Sequence, residues 1–403
     1  MKRTEPLKID LKLIISRLKY HIILAGLIIF GFACSIITNI TVTSLFEQNF
    51  GPVYTYFWGI ADGDQWFDYA FAFKFALLHN GAGFAAFTAL YHHTFTPLFP
   101  ACLAIIDLVF NNILVSDFIL NGLLTIGTVF ILKKTFVSIL HLEEKDAMLG
   151  LILYQSNFII LNNTLVGNES MPFVAFCVVL ALYTSAKFVE TVNLENGIKV
   201  FIANTLVMYS REIIWPILFL APAIILIRVV IKQNGVQFRF FDFIKKEVKA
   251  IYFATILPSI CYLVFFLFVN AIPSILTQLY MLNSFVNVRT VPTFFFNAFL
   301  AFSFMPVLIL FDIKGVFKKA ESLPFLIWIG IFILARLIMP GAFWATFFEP
   351  AIFCFCALSI QSLREGKLES WAKFLLPILV IENFAIQIIA YVFPIPFIVL
   401  YYG

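Results

Sequence analysis

The feature that most constrains this chain is the repetition of apolar runs long enough to span a bilayer. A crossing helix needs about 20 predominantly apolar residues. Such runs lie near 21–45, 117–132, 147–165, 171–187, 198–210, 212–231, 250–271, 292–311, 324–339, 349–363 and 373–392. Hydrophobic residues make up 62% of the chain and charged ones 12%, where a soluble domain has about 45–50% and about 25%. A water-soluble fold is excluded. The pattern predicts an all-α protein, a polytopic transmembrane helical bundle of about 11 spans. No segment has the basic, aromatic-interleaved character of a nucleic-acid surface, so nucleic acid is excluded as a partner.

Orientation follows from where the basic residues fall. The stretch 96–114 (TPLFPACLAIIDLVFNNIL) is apolar enough to cross but carries Asp107, Asn111 and Asn112 in its second half. With the N-terminus in the cytoplasm and 96–114 returning to the outer face, nearly all of the 27 basic residues fall inside. Lys74, Arg211, Arg289 and Arg336 are left outside or near the outer ends of spans. A full crossing by 96–114 would move Lys133, Lys134 and the later clusters to the other side. The positive-inside rule therefore favours eleven crossings with the C-terminus outside.

Residues 1–20 read as a basic amphipathic segment on the cytoplasmic face, too long and too charged for a cleavable signal. Residues 21–403 read as a single transmembrane domain without internal repeats. Its first outer loop is 46–116, with juxtamembrane helices. Cys34, Cys102, Cys177, Cys261, Cys354 and Cys356 all lie in apolar stretches and read as packing residues.

Polar residues gather in the outer loops. The first holds IADGDQWFDYAFAF, with Asp62, Asp64 and Asp68; in a helix Asp64 and Asp68 share a face. These carboxylates admit three uses: a general base on a sugar hydroxyl, a pair holding a divalent cation (Mg or Mn at Asp62 and Asp64), or a solvated loop. YHHTFTPLFP follows, with His92 and His93 suited to a phosphate or hydroxyl contact, and with Pro97 and Pro100 separating two helices. NNTLVGNESMP presents Asn163, Asn168 and Glu169, with Ser170 and Pro172 marking a helix start. Asn162 and Asn168 are formal glycosylation acceptors. Arg211 and Glu212 interrupt a long apolar run, and a charge there is a functional hypothesis by default. Arg289 and Arg336 are the other outer guanidiniums, the group best suited to grip phosphate.

This order of motifs resembles the GT-C superfamily of membrane glycosyltransferases, which use sugars carried on polyprenyl phosphates. DGDQWFDYAF resembles the acidic motif of polyprenyl-phosphate-mannose-dependent mannosyltransferases, with Asp62 and Asp68 at its two Asp positions and Tyr69-Ala70 where relatives often have Ala-Ala. YHHTFTPLFP is similar to their Y-x-Y-P-P-L-F segment, with Thr96-Pro97 in place of Pro-Pro. Glu169 falls where some relatives carry a second acidic motif, and Arg211 where relatives have a Lys or Arg. The likeness covers the half 21–231; the spans of 250–403 share only general hydrophobic architecture.

The resemblance implies a hexosyltransferase in the cell membrane, acting on the outer face with inversion. A hexose, most readily mannose, would pass from a polyprenyl phosphate to a hydroxyl of a glycan or glycolipid acceptor. Asp62 would be the general base, with Asp64 and Asp68 orienting it or binding sugar hydroxyls. Arg211, with Arg289, Arg336, His92 or His93, would hold the departing phosphate, so no cofactor is required. A transporter or flippase of lipid-linked sugars is the rival. It would place ionisable groups near the midplane and show repeats, and the sequence presents few of the former.

Overall fold

The computed structural model describes residues 11–50, 63–83, 98–163, 171–210, 217–232, 248, 251–268, 295, 298–338, 348–365 and 369–392. Among them there is helix and no strand. Apolar runs with every backbone N–H and C=O paired inside the segment are what hydrocarbon surroundings demand. Each expected span falls on helix wherever it is described, apart from breaks at Ser156–Asn157 and Ser303–Phe304. Among the described residues four helices are long and apolar enough to cross a membrane: Leu18–Ile37, Ile113–Ser138, Met171–Glu190 and Glu369–Ile389. They mark the protein as membrane-embedded. The described parts of the remaining apolar runs form shorter or interrupted helices.

Helix α1 (Leu11–Phe50) runs through the residues read as a surface segment directly into the first apolar run. Helix α2 (Gly63–Asn80) lies in the stretch expected to form the first outer loop. Helix α3 (Leu98–Phe110) follows Pro97 and carries Pro100 in its first turn, where a missing N–H costs no hydrogen bond. Its 13 residues make a rod of about 20 Å, short of the roughly 30 Å hydrocarbon layer. It ends at Asn111, whose φ of 48° is left-handed. Asn112 then caps helix α4 (Ile113–Ser138), its Oδ1 accepting from the N–H groups of Leu114 and Val115 at 3.1 and 3.2 Å. So the described part of this stretch, 98–114, is a short helix leading directly into α4, a shape that suits a segment returning to the face it came from.

The run 147–165 divides into α5 (Glu144–Gln155) and α6 (Phe158–Asn163). The break is at Ser156–Asn157, where the Asn157 side chain competes with the helical ladder. Its Oδ1 accepts from the Ile159 N–H at 3.0 Å and its Nδ2 donates to the Ala301 carbonyl at 2.8 Å. Helices α7 (Met171–Glu190), α8 (Leu194–Ser210) and α9 (Leu220–Lys232) follow, then a π-helical turn (Tyr252–Ile256) leading into α10 (Leu257–Phe268).

The run 292–311 is also broken. Residues 298–302 are helical and α11 (Met305–Phe311) restarts after Ser303–Phe304. Pro306 has no N–H for the Phe302 carbonyl, so an unbroken helix there would leave an unpaired acceptor. Ser303 sits at φ 54°. The two breaks face each other through the bond from Asn157 to Ala301. Helices α12 (Ile313–Lys318), α13 (Leu323–Ile338), α14 (Glu349–Glu365) and α15 (Ala372–Val392) complete the described chain.

Helix α7 is central. Of its spanning window 72% is buried, against 22% for α1 and 28% for α15 at the periphery. An apolar helix without a polar face belongs in such a position. It packs on α4, α8, α9 and α14. Glycine on α4 permits the close approach, since a Cβ at Gly127 would stand 2.9 Å from the Phe176 ring of α7.

Candidate functional site

Helix α2 starts at Gly63, the residue after Asp62, so Asp64 and Asp68 lie one turn apart on it. Its inner face carries Phe67 and Ala70, both buried, and packs on α3. Asp68 is exposed, as are Phe71, Phe75 and Leu78. What fixes this helix is Lys74. Its ammonium donates to Asp107 Oδ2 at 2.6 Å, to the Asp107 carbonyl at 3.2 Å and to Asn111 Oδ1 at 2.9 Å. Ser116 at the start of α4 donates to the other Asp107 oxygen at 3.1 Å. Asp107 is 1% exposed, so one buried carboxylate ties α2, α3 and α4 into a unit.

Of the residues the sequence assigns to catalysis or substrate binding, Asp68 has a described side chain. Asp64 and Arg336 have their helices described but not their side chains. Asp62, His92, His93, Glu169, Arg211 and Arg289 lie outside the described residues, as do Asn168 and Ser170. Asp62 immediately precedes α2 and Arg211 immediately follows α8. Asn162, a formal glycosylation acceptor, is buried. Its amide exchanges two hydrogen bonds with Gln387 of α15, at 2.7 and 3.1 Å, and its carbonyl accepts from Ser35 of α1 at 2.6 Å.

The bundle has two chemically distinct ends. At one, the C-termini of α4, α7 and α14 meet the N-terminus of α5. Lys133 pairs with Glu144 at 2.9 Å, Arg364 with Asp146 at 2.8 Å, and Lys187 donates to the Ser138 carbonyl at 3.1 Å. Lys134 lies 5.2 Å from the centre of the Tyr183 ring. Burial pushes the Asp146 carboxyl above its ordinary range, and the Arg364 guanidinium opposes that shift. Lys199 and Glu195 pair on the first turns of α8 beside this end, which holds the Glu195 carboxyl below its ordinary range.

At the other end lie the Lys74–Asp107 unit, the Asn162–Gln387 pair and the first turn of α14. Here Trp328 of α13 donates to the Pro350 carbonyl at 2.9 Å. Glu349, 3% exposed, heads α14 and lines a cavity of about 10 Å³ with Thr125, Thr128, Tyr154 and Pro172. That volume holds about one water, and the wall supplies the polar partners a water needs. The starts of α7 and α14 both border the cavity, and helix N-termini favour a carboxylate. A buried polar stripe leads to it along α4: Asp117, Asn121, Thr125 and Thr128, at helical spacing. Asn121 donates to Asp117 at 3.1 Å, while its own Oδ1 has no partner among the described residues.

No protein-family model matches the chain, and no curated protein matches it. The site therefore rests on its own chemistry. The sequence reading missed Lys74 as the clasp of α2, Asn121 and Asp117 as buried groups, Glu349 as an acid inside the bundle, and Glu382 as a half-buried acid beside the break at Ser303–Phe304. The signals were present: a four-residue polar spacing within an apolar span, and a Glu-Pro pair at a span's first turn. Among the described residues no group of three His, Cys, Asp or Glu could hold a metal ion. The candidate pair for a divalent cation is not among them, since Asp62 and the Asp64 side chain lie outside what is described.

Proposed function

We propose that the protein is a polyprenyl-phosphate-sugar-dependent hexosyltransferase of the cell membrane, with its basic end in the cytoplasm and its site at the opposite end. The observation that carries this reading is the segregation of the two ends. Lys133, Lys134, Lys187 and Arg364 cluster at one end, which the positive-inside rule assigns to the cytoplasm. The acidic face of α2 and the Glu349 cavity lie at the other.

In the reaction proposed, the Asp62 carboxylate takes the proton of an acceptor hydroxyl as that oxygen attacks the anomeric carbon. The bond to the phosphate oxygen breaks on the opposite face, which inverts the configuration. Arg211, with Arg289 and Arg336 or His92 and His93, stabilises the phosphate that leaves. Preorganised charge of this kind often contributes more to catalysis than any other effect. Asp64 and Asp68 orient the base and the sugar, and Glu169 contacts the donor. The guanidiniums supply the positive charge, so chelation of divalent cations is expected to leave turnover unchanged. Asp62→Asn is expected to abolish transfer of labelled mannose from polyprenyl phosphate while expression and donor binding persist. Wild-type turnover in that variant would remove Asp62 from the mechanism.

A transporter or flippase of lipid-linked sugars is favoured by a separate observation. Discontinuous helices mark binding sites in transporters, and here two breaks face each other beside an acid, Glu382, in the middle of α15. Reconstituted protein given the labelled donor separates the readings. A new glycosidic bond supports the transferase; movement of intact donor across the bilayer supports the transporter.

A further inference from the structure

Between α11 and α15 runs an apolar groove of about 400 Å³. One wall is Phe304, Val307 and Phe311, the other Leu375 and Ile378. Phe304, Phe311 and Ile378 are all more than half exposed, at 54, 64 and 56%. Trp371 lies at one end of the groove and Glu382 at the other. Glu382 closes its end beside the helix break: its Oε2 accepts from the Ser303 hydroxyl. Its Oε1 is buried and has no partner among the described residues.

Three facts limit what can fill this groove. It lies along a helix apolar and long enough to span the membrane, so the medium around it is hydrocarbon. From Trp371 to Glu382 the rise along α15 is about 16 Å, roughly half the ~30 Å hydrocarbon thickness, so the groove is one leaflet deep. Its open end carries Trp371, 59% exposed, beside the basic end of the bundle, and an indole there sits at headgroup level. An aqueous solute would meet apolar walls, and a peptide helix is too wide to seat between two neighbouring helices. We propose that the groove binds one hydrocarbon chain of a phospholipid from the leaflet on the basic side, entering past Trp371 and stopping at Glu382. Bound there, the chain packs against the helix break at Ser303–Phe304 and fills the side of the bundle that α11, at 7 residues, leaves shallow.

The test uses the full chain in vesicles containing a trace of phosphatidylcholine with a photoactivatable diazirine in mid-chain. After irradiation, adducts are located by mass spectrometry. The expected result is labelling concentrated on 304–311 and 371–379, above that of the exposed α4 face at Ile126 and Phe130. Ile378→Trp, a substitution at an exposed position, is expected to reduce groove labelling to the α4 level and leave α4 unchanged. Val307→Trp, from the opposite wall, is expected to do the same and guards against a misfolded first variant. Equal labelling of groove and α4 in the native protein, or a groove pattern that neither substitution moves, overturns the proposal.

Discussion

Lys74 and Asp107 show how much a single buried pair controls. The Asp107 side chain is 2% exposed and that of Lys74 16%, so neither charge can fall back on water. Removing one partner of a buried pair costs about 3–5 kcal/mol, because the other charge is left uncompensated. Lys74→Met is therefore expected to lower stability by about that amount, read by denaturant unfolding in detergent, and adding Asp107→Leu should recover much of it. At Asn162 the amide pair with Gln387 makes a different demand. Asn162→Ala strands a buried amide and is expected to cost about 1–3 kcal/mol, with no change in glycosylation, since the native side chain is enclosed. Neither pair was legible in the sequence. Lys74 and Asp107 are 33 residues apart and Asn162 and Gln387 are 225 apart, and periodicity reports only neighbours within a helix.

At the level of helices the sequence was far more informative, because hydrocarbon leaves the backbone few choices. The boundaries of α7 and α15 lie within a few residues of the apolar runs 171–187 and 373–392. Hydropathy averaging hid the breaks at Ser156–Asn157 and Ser303–Phe304, since a window over 147–165 or 292–311 stays apolar despite a short polar turn. The Gln155-Ser156-Asn157 run and Pro306 were the visible cues. Close packing sets a further constraint: at Gly150 on α5 a Cβ would stand 2.9 Å from the Phe136 ring of α4 and 3.5 Å from Ile360 of α14. Gly150→Val is expected to destabilise by about 1–3 kcal/mol through overpacking, measured as a lower thermal midpoint, whereas substitution at Gly330, which has nothing within 4 Å, should be near neutral.

For the molecule as a whole, the separation of a basic end from an end rich in buried acids and amides is what the proposed function rests on. Parallel and antiparallel neighbours are fixed by contacts at each end. Lys187 reaching Ser138 makes α4 and α7 parallel, and Arg364 reaching Asp146 makes α5 and α14 antiparallel. These directions agree with those the charge distribution requires of the corresponding runs. The candidate site was only partly legible. The acidic motif on α2 was visible as residues, but the Glu349 cavity forms from α4, α5, α7 and α14 together and belongs to no local motif. Sidedness is the most direct test. Single cysteines at 62, 211 and 195, in a background with the six native cysteines replaced, are to be probed in intact cells with a membrane-impermeant maleimide. Labelling is expected at 62 and 211 from outside and at 195 only after permeabilisation; labelling of 62 and 211 from opposite sides would contradict a shared outer site.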